Sequence, residues 1–192
     1  MGMVDMDTIF ASIIGASSAL LGAALTANIQ LRTQRNSHLF QHESDDLKRQ
    51  NEKLEREISL ALERLTTAHL LLSAIGREFS QAKILINWKA EMTDGEYDQK
   101  YLAICQDMDE LRAIAGLYET ALSDDVETLH RCMNRFWGEF QNVLRLSALG
   151  QNVNHETSCY NATHVAATEI QERTRTLKER LTKQAEKYRN LA

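Results

Sequence analysis

Six histidines and three cysteines are the first side chains to test for chemistry, since imidazole and thiolate are the commonest metal ligands and nucleophiles. His38 and His42 stand four residues apart, which puts both on one helix face with Glu43 beside them. No further ligand follows, and a solvated face explains the trio as simply. His155, Cys159 and His164 also cluster in sequence, but Cys159 and His164 are five apart and diverge on a helix. His130 and Cys132, two apart, point to different sides. There is no glycine-rich phosphate loop, no nucleophile elbow and no HExxH motif. The Glu-x-x-His pattern of di-iron bundles, needed on two helices, is missing as well. The expectation is a protein that is not an enzyme, with no cofactor and no metal.

A second kind of chemistry is anion binding. From Ile170 to Ala192 seven bases face three acids, and Arg173, Arg175, Lys178, Arg180 and Lys183 are the candidate contacts for phosphate. A nucleotide, an oligonucleotide or lipid head groups would fit such a helix. The plain alternative is a solvated face in which Glu179 and Lys183 pair at i,i+4. The stretch Glu91–Glu127 is the opposite, with eleven acids against Lys100 and Arg112. An acidic middle and a basic end predict either mutual packing or two distinct surfaces. The net charge of −5 excludes a globally basic nucleic-acid binder.

Helices must position all of these groups. The 192 residues include no proline, where about nine or ten would be usual. Proline breaks helix interiors, so its absence favours long helices. The three cysteines are odd in number and widely spaced, which reads as reduced thiols in a cytoplasmic domain.

No charged residue occurs between Thr8 and Leu31. Thr8–Ala27 reads TIFASIIGASSALLGAALTA, and twenty helical residues cover about 30 Å, the thickness of a hydrocarbon core. A cleaved signal peptide is the first alternative, but it needs a positive leader and Asp5 and Asp7 are acidic. A buried soluble helix is the second. Arg32, Arg35, Lys48 and Arg49 follow the span, so the positive-inside rule sets the N-terminus outside and the remainder in the cytoplasm. Thr8, Ser12, Gly15, Ala19, Gly22 and Thr26 lie on one stripe of this helix, small or hydroxyl-bearing throughout. Small residues let membrane helices approach closely, which predicts self-association; a weakly hydrophobic anchor is the alternative.

Beyond a polar junction from Gln30 to Asp46, a long helix is predicted to end near Met92. Leu54, Ile58, Ala61, Leu65, Ala68, Leu72, Ile75, Phe79, Ala82 and Ile86 alternate gaps of four and three, a heptad seam. Leu47 fits upstream, with Asn51 between as a residue of the kind that fixes register or oligomer state. Thr93 and Glu96 form a capping box for a second helix, Ser123 is the expected N-cap of a third, Gly150–Asn154 reads as a loop, and a last helix covers about His155–Leu191. The prediction is an all-α chain in three parts. These are an N-terminal tail and single transmembrane helix (1–31), a juxtamembrane connector (32–46) and a cytoplasmic up-down helical bundle (47–192). Asn51, Leu54, Ile58, Leu65, Leu72 and Phe79 are its oligomer or bundle seam.

This layout, TIFASIIGASSALLGAALTA followed by Arg32, Arg35 and the heptad seam, resembles the ion-channel effectors of Hailong-type bacterial anti-phage defence. The resemblance covers the whole chain as architecture, without signature residues. It implies a homo-oligomer of about four copies in the bacterial inner membrane, with the Thr8–Thr26 stripe lining a pore. The bundle would hold the pore closed until a nucleotide, an oligonucleotide or a co-encoded protein signals, and opening would depolarise the membrane. The alternative is a non-conducting, membrane-tethered scaffold or signalling adaptor that docks a partner protein. A spanin-type phage lysis protein is a third reading, and it requires the bundle in the periplasm.

Overall fold

Residues 23–75 contain neither glycine nor proline, and helix α1 runs unbroken from Met6 to Glu78. The computed structural model describes residues 6–191; the side chains of residues 6–25, 27–29, 31, 36, 38, 39 and 43 lie outside the described set. Four further helices follow: α2 (Gln81–Lys89), α3 (Asp94–Leu117), α4 (Ser123–Ala148) and α5 (Ser158–Arg189), with a 3-10 turn at Thr120–Leu122. Among the described residues there is no strand, and the fold is an all-α helical bundle.

The chain divides into two compact units at Arg56/Glu57, ten residues beyond the boundary expected from sequence. In the second unit α4 lies between α3 and α5. Its face of Val126, Leu129, Met133, Phe136, Phe140 and Val143 is buried along its length. Phe79, just past the end of α1, meets the edge of Phe136 at 5.0 Å between ring centres, and Tyr97 meets Phe140 at 4.9 Å. Such edge contacts add about 0.5–1.5 kcal/mol to the area they bury. Ile58, Leu65, Leu72 and Phe79 of the predicted seam are all buried, whereas Asn51 and Leu54 are exposed.

Three local expectations differ from the structure. The predicted helix to Met92 breaks after Glu78, because Ser80 accepts from the Lys83 backbone N–H and starts α2 as its N-cap. The break resets the phase, so Ile84 and Asn87 enter the core while Ala82 and Ile86 are exposed. Ser123 is not an N-cap; the preceding 3-10 turn already supplies helical geometry, and Leu122 holds the cap position without a side-chain bond. The polar junction is not a break either, since its Gln, Arg, Leu and Glu residues are good helix formers. The Thr93–Glu96 capping box forms in both directions.

One stretch among the described residues, within Arg32–Glu78, is long and apolar enough to cross a membrane, with mean hydropathy 1.3 and 33% of the window buried. Every buried side chain in that stretch is a seam residue between Ile58 and Ile75. The buried third of that stretch belongs to the core of the bundle, while Leu60 and Leu70 are exposed. The segment expected to span, Thr8–Ala27, is the N-terminal part of α1 in backbone terms. The side chains of Thr8, Ser12, Gly15, Ala19 and Gly22 lie outside the described residues, and Thr26 is exposed.

Candidate functional site

A groove of about 1100 Å³ lies between α1 and α5. The two helices meet at Gly76. An added Cβ on Gly76 would stand 3.4 Å from Thr174 Oγ1, and the Gly76 carbonyl accepts a hydrogen bond from the Gln171 amide. Beyond that contact the walls separate. His69, Ser73, Arg77 and Ser80 line one side; Arg175, Lys178, Thr182 and Lys183 line the other, with Glu179 and Glu186. A smaller hollow of about 260 Å³, bounded by Leu62, Leu70, Ala185 and Arg189, shares His69 and Thr182 with it.

Most of the donors available to a ligand here are cationic. Ser73, Thr174 and Thr182 give their hydroxyl protons to carbonyls one turn back on their own helices. Ser80 accepts from the Lys83 N–H at 3.2 Å, which leaves its own O–H free to donate. Burial and the neighbouring Lys178 ammonium hold the His69 imidazole below its ordinary range, so it is neutral at pH 7. Four cations against two carboxylates leave the lining with a net charge of +2. Such a groove can bind an anion through Arg77, Arg175, Lys178 and Lys183.

The five basic residues expected to act together are therefore separated. Arg175, Lys178 and Lys183 share the groove, but Arg173 and Arg180 face away from it. Arg180 bonds the Asp125 carboxylate and donates to the Ala121 carbonyl at 2.7 Å. Arg173 lines an acid-rich hollow with Asp125, Glu169 and Glu172. A helix turns about 100° per residue, so positions 173 and 180 fall on one side and 175, 178 and 182 on the other. That angular split was present in the sequence; the contribution of His69 and Arg77 was not, because it depends on how α1 crosses α5.

The acidic middle and basic end do pack in part, through Arg180 and Asp125 and through Gln184, which donates to Glu119. Elsewhere Arg112 pairs with Glu127 at 2.6 Å and Arg135 with Glu169 at 2.5 Å. Glu119 is 5% exposed, and burial pushes its carboxyl above the usual range against the opposing pull of Arg64 and Gln184. Cys105, Cys132 and Cys159 are all free thiols; the last two are buried, and burial raises Cys132. His155 is exposed while the His164 ring packs tilted against Tyr160 with ring centres 4.5 Å apart. Among the described residues no three His, Cys, Asp or Glu side chains gather to hold a metal ion. His42 is exposed, and His38 and Glu43 lie outside the described side chains.

These features define an all-α helical-bundle protein with a cationic groove. Comparison with known protein families, curated proteins and solved structures finds no match for the chain.

Proposed function

We propose that this protein is a membrane-anchored, oligomeric effector that forms or gates an ion-conducting pore under the control of its helical bundle, in bacterial anti-phage defence. The observation that carries the proposal is the make-up of α1. One helix, Met6–Glu78, includes both the stripe Thr8, Ser12, Gly15, Ala19, Gly22 and Thr26 and the groove wall His69–Arg77. Hydroxyls and small residues suit a narrow aqueous path better than leucine does. The groove is the seat of the controlling ligand, an anion of nucleotide or oligonucleotide chemistry. Arg77, Arg175, Lys178 and Lys183 bind its phosphates.

Ion flux through the purified protein in liposomes tests the pore. Ser12→Leu and Gly22→Leu are expected to block conduction, and undiminished flux in both overturns the assignment. Arg175→Glu with Lys178→Glu is expected to remove any response of the flux to an added nucleoside triphosphate or short single-stranded oligonucleotide. Replacing the whole stem by leucine separates this protein from a tethered scaffold, since a tether keeps its activity and a channel loses it.

A further inference from the structure

We infer that residues 37–54 of α1 form a parallel, in-register coiled coil with the same segment of a second copy of this chain; the parallel sense rests on the membrane reading, which brings all stems in from one side. Three of the four apolar residues in this segment, Phe40, Leu47 and Leu54, stand seven apart. They are 76%, 57% and 48% exposed in the single chain. Ser37, Ser44 and Asn51 complete the alternating four-and-three spacing, and all three are exposed too. With Phe40, Leu47 and Leu54 as the d row of a heptad, Ser37, Ser44, Asn51 and Ile58 are its a row.

The register is the one the bundle already uses. The d row continues without a slip through Ala61, Ala68 and Ile75, and the a row through Leu65, Leu72 and Phe79, all of them buried. Read toward the N-terminus, the same sevenfold row passes through Ser12, Ala19 and Thr26, half of the stem stripe. A strict seven-residue repeat over such a length is the pattern of a left-handed supercoil. From Ile58 onward the chain's own helices cover this face. From Ser37 to Leu54 the described residues of this face are exposed.

A copy of the same segment is the occupant its heptad rows select. In a parallel pair, each g residue meets the e residue five positions further along the partner. Here Gln50 would meet Glu55, which sets no like charges together. Arg35, His42, Arg49 and Arg56 occupy the outer f row, opposite the seam. Asn51 at an a position meets its own counterpart in register, where the two amides satisfy each other at a cost in stability. The polar a row makes this a weak zipper. It closes when membrane stems hold the chains at the millimolar effective concentration of a short tether, and it opens readily.

Disulfide trapping in membranes that carry the full-length protein tests the inference. Single cysteines replace Phe40, Leu47 or Leu54 in the d row and Arg49 or Glu52 on the outer face, with the unaltered chain as background for its native thiols. Facing d positions lie within the Cα separation a disulfide spans, about 4.4–6.8 Å. Covalent dimer is expected at all three d positions, at least about fivefold above the outer positions. Leu47→Asp with Leu54→Asp is expected to abolish trapping at Phe40→Cys, and Asn51→Leu to increase it. Equal trapping at Arg49→Cys, or none at the three d positions, overturns the inference. Ser12→Cys separates it from the pore reading. Trapping at Ser12 alone removes the zipper and leaves stem association. Trapping at the d positions in protein that conducts no ions keeps the zipper and removes the pore.

Discussion

Residues 37–54 of α1 and residues 58–79 carry the same heptad spacing, yet the seam side chains of the second stretch are buried and those of the first are exposed. The contrast shows what a repeat encodes. It states that a face is made to be covered, and by which side chains. Whether the cover comes from the same chain or another is decided by the neighbouring rows. Beyond Ile58, Leu62 and Leu71 widen the apolar face to the breadth a bundle needs. Before it the neighbours are Lys48, Gln50 and Glu55, which leave room only for a narrow seam.

Truncations break or sharpen this contrast most directly. Phe79→Ala is expected to cost about 3–5 kcal/mol, because a ring fixed between Tyr101 and Phe136 leaves a cavity. Leu47→Ala is expected to change unfolding of the bundle by less than about 0.5 kcal/mol. Urea denaturation measures both, and a Leu47→Ala loss approaching that of Phe79→Ala would erase the distinction. The next effect is smaller. Gly76→Val is expected to cost about 1–3 kcal/mol by wedging α1 away from Thr174. Gly76→Ala, whose single methyl sits at ordinary contact distance, is expected to be neutral or slightly stabilising through helix propensity.

The smallest effect concerns pH. The buried Glu119 carboxyl holds its proton more tightly folded than unfolded. Its contribution to stability is therefore complete below the unfolded carboxylate pKa, about 4.3, and falls as pH rises through the raised folded value. Glu119→Gln keeps a hydrogen-bonding group and removes the proton, so the variant is expected to lose less stability than the parent between pH 4 and pH 7. Urea midpoints at the two pH values decide it; identical differences for parent and variant would show that Glu119 is effectively solvated.

What the sequence made legible follows the range of the interaction involved. The seam from Ile58 to Phe79 and the Thr93–Glu96 box depend on residues a few positions apart, and both were readable. The break at Ser80 was hidden because Ala82 and Ile86 prolong the spacing by coincidence, while a single hydroxyl on the Lys83 N–H ends the helix. The burial of Asn87 and Glu119 was equally hidden, since nothing in polar residues of their type announces a core position. The candidate groove was half visible. Arg175, Lys178 and Lys183 could be named, but Arg77 and His69 join them only through the crossing at Gly76. The pairing that draws Arg180 to Asp125 spans fifty-five positions of chain.

Both tryptophans of the chain belong to the second compact unit. The Trp88 indole N–H donates to Ser147 at 2.8 Å, and that of Trp137 donates to Asp98 at 2.9 Å. Intrinsic ultraviolet emission therefore reports the melting of the bundle alone and is blind to whatever the N-terminal unit does. Dissociation of one chain from another can be followed by a fluorophore placed before Arg56, in the same cuvette and at a separate wavelength, without the two signals mixing.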